Sequence, residues 1–159
     1  MLRKLTVETL LMDPISEKPI LVLKTDNGEK ILPIWIGHNE AQAIALELDS
    51  IRAPRPMTHD LACNILNSLE GKLVQVDICD LRDSTYYAEL VVDRSSGELR
   101  IDARPSDAIA IAIRLKAPIF VAEHVLDEAS QNREPSSVEA SLTRWLESLS
   151  TEDLGRYKM

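Results

Sequence analysis

Two stretches of this chain repeat one another, and any fold it adopts has to accommodate both. "ILPIWIGHNEAQAIALEL" (Ile31 to Leu48) and "IDARPSDAIAIAIRLKAPIF" (Ile101 to Phe120) align at an offset of 67 residues. Ile34 falls on Ile101, Ala41 on Ala108, Ala43 on Ala110, Ile44 on Ile111, Ala45 on Ala112 and Leu48 on Leu115. The polar turn matches as well, with Asn39 on Ser106 and Glu40 on Asp107. Each copy reads as a strand running into a helix whose first residues are an N-cap type followed by an acid. With a three-residue shift each continues into an Ala-Pro pair, Ala53-Pro54 and Ala117-Pro118. Two Ala/Ile-rich helices resemble each other by chance, but the matched caps and Ala-Pro pairs favour a duplicated strand–helix–helix unit.

The remaining patterning predicts hairpins. "RKLTVETLLM" and "KPILVLKT" read as strands across the turn-prone "DPISE", and Asn27-Gly28 suits the positive φ of a tight turn. A third strand runs through "KILPIWI". In "KLVQVDICDL" the alternation puts Val74, Val76 and Ile78 on one face and Gln75, Asp77 and Cys79 on the other. "TYYAELVV" is its hairpin partner, and "RSSGE" turns the chain into "LRIDA". Six such strands predict largely antiparallel sheets. Helices are expected over Glu40 to Ile51, Thr58 to Leu69, Asp107 to Lys116 and about Ala122 to Ala129. A last one puts Val138, Leu142, Trp145, Leu146 and Leu149 on one stripe. The fold class expected is therefore α+β, mainly antiparallel sheets with packed helices and an internal duplication. Residues 1–130 form its body, and 131–159, beyond the polar "SQNREPSS", form a helical extension packed on the same domain.

At 159 residues the chain is long enough to bury its own core without staples. Cys63 and Cys79 lack metal-ligand spacing and only three histidines accompany them, so buried thiols of a cytoplasmic protein are expected rather than a structural zinc site. No apolar run reaches the length of a membrane span. The net charge of −8 argues against a general binder of the phosphate backbone, but not against a nuclease, whose active site is often itself a cluster of carboxylates.

Two polar stretches carry chemistry. In "DARPSDA" the plain reading is a helix start: Ser106 caps, Pro105 stiffens the entry, and Asp107 meets the positive end of the dipole. A cap needs neither Asp102 nor Arg104, which share a side under strand alternation. An acid and an arginine beside a helix N-terminus could receive a phosphate or a metal-bound phosphate. In "RPMTHDL", Thr58 is an N-cap candidate, leaving His59 and Asp60 in the first turn. His59 is either a solvent-facing imidazole or a general base beside a carboxylate. Under the shifted alignment this pair falls on Glu123-His124. No Ser-His-Asp order, phosphate-cradling glycine loop or H-E-x-x-H is present.

Taken together, "LPIWIGHNEAQAIALEL", "RPMTHDL", "TYYAELVV", "IDARPSDAIAIAIRLKAPIFVAE" and the terminal "LSTEDLGRY" resemble the bifunctional nuclease family over Leu5 to Tyr157. The family's signature stretches are carried here by Arg104, Pro105, Ser106 and Asp107 and by Arg55, Pro56, Thr58, His59 and Asp60. The resemblance implies a compact α+β fold with an internal duplication, and the DNase and RNase activity ascribed to some members; it implies no established mechanism. Some relatives carry a small C-terminal helical module that is not expected here.

The leading expectation is a metal-assisted nuclease acting on DNA, RNA or both. Asp102, Asp107 and Glu40 would hold Mg²⁺ or Mn²⁺, and Asp102, His59 and Asp107 would form the catalytic group. Arg104 and Arg55, with Ser106, would bind the phosphate. The alternative is a non-catalytic module that binds an anion or a partner. Nucleic acid is the expected partner, a membrane is not, and a homo-oligomer stays open.

Overall fold

The computed structural model describes residues 1–132 and Ser148. The described elements are β1 (Leu2–Met12), β2 (Pro19–Thr25), β3 (Ile31–Trp35), α1 (His38–Leu48), α2 (Thr58–Ser68), β4 (Lys72–Arg82), β5 (Thr85–Arg94), β6 (Gly97–Ala103), α3 (Pro105–Leu115), β7 (Ile119–Ala122) and α4 (Glu123–Gln131). The expected last helix through Val138 to Leu149, and the extension it would form, lie outside the described residues apart from Gln131, Asn132 and Ser148. No described helix is long and apolar enough to cross a membrane.

The strands form one mixed sheet in the order β3-β2-β1-β7-β4-β5-β6, not several sheets. Two antiparallel meanders, β1-β2-β3 and β4-β5-β6, are joined through β7, which runs antiparallel to β1 and parallel to β4. In the sequence Ile119–Ala122 reads as a link between helices, because four residues are too few to establish a period. Its strand character comes from its neighbours: β1 and β4 would otherwise present unpaired backbone groups in the middle of the molecule.

The first hairpin turn works through Gly28, whose φ of +73° lets its N–H reach the Thr25 carbonyl at 2.8 Å. In β4 the expected alternation is broken by two bulges. Leu73 pairs with Val92 and Gln75 with Val91, so Val74 is extra, bulges out and is 41% exposed. The inward face of β4 is therefore Leu73, Val76 and Ile78, and a second bulge before Asp80 brings Leu81 into the core.

Leu5, Ile119, Val76 and Leu90 line up across four strands on one face of the sheet, and the buried residues of α1, α3 and α4 join them in a single core. The opposite face holds a smaller cluster, Leu11, Ile20 and Val22, with Ile31 and Trp35 packed against it. Helix α1 leaves the end of β3, and α3 leaves the end of β6. They start and stop at positions related by the same 67-residue offset, with Gly37 and Arg104 as their N-caps. Beyond these helices the two stretches differ. The chain after α1 is irregular as far as α2, whereas the chain after α3 enters β7 before α4.

Candidate active site

Three helix starts meet at the candidate site, and each carries an acid at its third helical position: Glu40 in α1, Asp60 in α2 and Asp107 in α3. An acid there opposes the positive end of its own helix, but the three carboxylates are put to different uses. Asp60 accepts the Met57 backbone N–H at 3.0 Å and Arg114 Nε at 2.8 Å. Glu40 folds back over Gly37, where even a Cβ would collide with its carboxylate, and accepts Arg104 Nη2 at 2.7 Å. Asp107 uses both oxygens: Oδ2 accepts Arg104 Nε at 2.8 Å, and Oδ1 lies 2.8 Å from His59 Nε2.

Arg104 is the N-cap residue of α3 and contributes no side-chain cap; Pro105 follows at the first helical position, where its missing N–H costs nothing. The expected caps are therefore displaced: Met57, not Thr58, precedes α2, and Arg104, not Ser106, precedes α3. With 67% of its side chain exposed, Arg104 spans Glu40 and Asp107 with two nitrogens and keeps its remaining donors toward solvent.

Burial works to raise the Asp107 carboxyl, but hydrogen bonds from Arg104 and His59 outweigh it and hold the group below the ordinary carboxylate range. The same contacts, Asp107 first and then Glu40, raise the Arg104 guanidinium. An ionised Asp107 can only accept, so the neutral His59 ring must carry its proton on Nε2 and present Nδ1 as an acceptor. His59, Asp107, Arg104 and Glu40 line a cavity of about 530 Å³ with Asn39 and Thr58.

The other expected residues are placed elsewhere. Asp102 is exposed on β6, opposite Glu89 and on the strand face that carries Arg100, and none of the contacts of the cluster reaches it. Arg55 lines an adjoining cavity with Arg52 and Cys63. Ser106 is 7% exposed at the second position of α3 and lines a groove on the far side of Arg104. His124 lies 3.6 Å from Asp80, apart from the cluster. The carboxylate beside His59 is thus Asp107, not its sequence neighbour Asp60.

Among the described residues, no three His, Cys, Asp or Glu side chains come together as a metal site. Of the three carboxylates expected to hold Mg²⁺ or Mn²⁺, Glu40 and Asp107 are turned instead onto one guanidinium and Asp102 lies apart on β6. As arranged, this donor set does not fit a resident divalent cation, which needs several oxygen ligands converging on one point.

Arg114 is a further residue that motif reading passes over. Its side chain is 7% exposed, pairs with Asp60, and donates to the carbonyls of Ala110 and Ala43, tying α1, α2 and α3 together behind the site. A single arginine within the apolar run of α3 is the signal that could have found it.

Comparison with known proteins identifies the family. Over 112 residues the chain is 47% identical to an uncharacterized protein of Mycobacterium tuberculosis, covering 70% of this chain and 66% of that one. Over 105 residues it is 30% identical to Bifunctional nuclease 1 of Oryza sativa subsp. japonica, 64% of this chain and 32% of the rice protein. Over 111 residues it is 26% identical to Bifunctional nuclease 1 of Arabidopsis thaliana, 67% of this chain and 34% of that protein. The matched region thus spans about two thirds of the mycobacterial relative and about a third of the plant nucleases. The sequence profile of the Bifunctional nuclease domain matches residues 21–134, which include α1, α2, α3 and every residue of the cluster, and the chain belongs to that family.

Proposed function

We propose that the chain hydrolyses phosphodiester bonds of nucleic acid, with His59 as general base, Asp107 as the residue that orients it, and Arg104 as the phosphate-binding cation. The observation that carries this reading is the contact of His59 Nε2 with Asp107 Oδ1, beside Arg104 and in an open cavity. One proton of an attacking water passes to His59 Nδ1 and the water oxygen bonds to phosphorus. The bond from phosphorus to the departing oxygen breaks, and that oxygen takes a proton from solvent. Arg104 offers its unused guanidinium donors to the phosphate oxygens, a planar match that a point charge does not reproduce. The cytoplasm suits the reading, since Cys63 and Cys79 are free thiols.

Mg²⁺ or Mn²⁺ enters only as an added proposal, because it would first have to draw Glu40 or Asp107 away from Arg104. We also read α1 and α3, with the strands that feed them, as copies of one ancestral unit.

The test is cleavage of single- and double-stranded DNA and RNA by the wild type and His59→Ala, with Mg²⁺, Mn²⁺ or EDTA. Activity that survives EDTA and falls about 10²–10⁴-fold in His59→Ala is expected for general-base catalysis. Equal activity in the two proteins would leave the non-catalytic binding module, which the net charge of −8 favours, as the better reading.

A further inference from the structure

Arg104 separates two cavities. On one side lies the His59–Asp107 cavity; on the other is a groove of about 940 Å³ between the Asp13–Lys18 loop, the end of β3, the β4–β5 turn and the start of α3. That volume lies toward the upper end of the ~300–1,000 Å³ range of ligand pockets.

The lining of the groove is unusual for this chain. Aromatic residues make up only 4% of the sequence, yet Trp35 and Tyr86, from strands in different meanders, both line it. The Trp35 ring is pinned: its Nε1–H donates to Asp13 Oδ2 at 3.1 Å, and Asp13 is itself held by the Ile15 N–H and the Ser16 hydroxyl. Tyr86 packs partly against the main core. Both rings are held in place by these contacts, so ordering them against a ligand costs little conformational entropy.

The charges point to the same ligand. Lys18 and Arg104 line the groove, with Glu17 as its one carboxylate, and Arg104, held from the other side by Glu40 and Asp107, turns its unused donors to a ligand. Ser106, nine-tenths buried, lines it too, and its hydroxyl makes no hydrogen bond to a described residue. Aromatic faces, two cations and a spare hydroxyl together match bases stacked along a phosphodiester backbone. Bases paired in a duplex already stack on their neighbours and cannot lie on isolated protein rings, so the strand has to be unpaired.

We infer that this groove binds the single-stranded segment of nucleic acid next to the scissile phosphate, with bases on Trp35 and Tyr86 and backbone on Lys18, Ser106 and Arg104. Arg104 then belongs to both cavities and delivers the strand from one to the other. The inference rests on the nuclease reading for the word scissile, but strand binding can be measured without cleavage.

The experiment replaces Trp145, outside the described residues, with Phe, so that Trp35 is the only tryptophan left. Its fluorescence is titrated with single-stranded oligothymidylate of about twelve nucleotides, with oligouridylate of equal length in a His59→Ala background, and with the matching DNA duplex. Saturable quenching by both single strands and not by the duplex is expected, with affinity lowered about tenfold in Tyr86→Ala. Lys18→Glu, on an exposed loop, is expected to weaken binding as well and serves if Tyr86→Ala fails to fold. Absence of quenching, equal quenching by the duplex, or unchanged affinity in the folded variants would overturn the inference. The two readings fail separately: wild-type KM in a cleaving Lys18→Glu protein sinks the groove, whereas undiminished cleavage by His59→Ala with strand binding intact sinks only the proposed catalytic base.

Discussion

Asp107 holds His59 at 2.8 Å although 48 residues separate them in the chain, and Asp107 is itself held by Arg104 through its other oxygen. The carboxylate therefore sets which ring nitrogen of His59 is free to act. In Asp107→Asn the amide can donate to Nε2, and the ring proton then moves to Nδ1, the atom that has to accept. The expected result is a fall in kcat of about a hundredfold or more with KM little changed, because the histidine remains but in the wrong tautomer. Steady-state kinetics on one substrate measure the split.

The position of Asp102 separates the motif from the geometry. Read as a motif, Asp102 is a metal ligand whose loss should abolish cleavage. Exposed on β6 and outside the contacts of the cluster, it should be dispensable. Asp102→Asn is expected to cleave within about twofold of wild type, since surface substitutions away from such features change little. A loss comparable to that of Asp107→Asn would restore Asp102 to the site.

Acid stability should report the Asp107 contacts directly. Its carboxyl is raised by burial but lowered further by Arg104 and His59, so its folded value lies below the unfolded value near 3.8. A depressed carboxylate contributes stability that is present above the unfolded value and is lost as pH falls through the folded one. The stability difference between wild type and Asp107→Asn should shrink as pH drops from the unfolded value near 3.8 through the folded one. Urea unfolding of both proteins across that range provides the comparison.

Arg114 should matter for folding before chemistry. Replacing it with Met keeps much of the volume but leaves Asp60 and the carbonyls of Ala43 and Ala110 without their shared donor. A loss of about 1–3 kcal/mol of stability is expected, chiefly from the carbonyls left without a donor, because Asp60 is half-exposed and keeps the Met57 N–H. Denaturant unfolding checks this, and a loss under about 0.5 kcal/mol, the size of an ordinary surface change, would mean that water replaces the guanidinium.

Much of the fold could be read from residues near one another in sequence. β1, β2 and β5 follow from apolar runs bounded by turn signals, the first turn from Gly28, and α1 and α3 from matched helix starts. Period-two counting puts Val74 on the wrong face, because a bulge inserts one residue without changing composition. β7 has no signature in the sequence, because a four-residue strand is defined by the edges it fills. In the site, Glu40, His59, Arg104 and Asp107 were all visible as polar residues at helix starts, whereas the groove was not, because Trp35 and Tyr86 meet only through folding.

By itself, then, the sequence determined the local elements, the family and the acid at the third position of each of three helices, because these depend on spacing along the chain. Only the tertiary structure decided which charge meets which: Arg104 with Glu40 across 64 residues, Arg114 with Asp60 across 54, and His59 with Asp107 across 48. Every acid in that set suits its own helix terminus equally well, so nothing local distinguishes them. The choice of partner comes from how α1 and α2 pack against α3, since a hydrogen bond tolerates only a few tenths of an ångström and packing alone sets distances that closely.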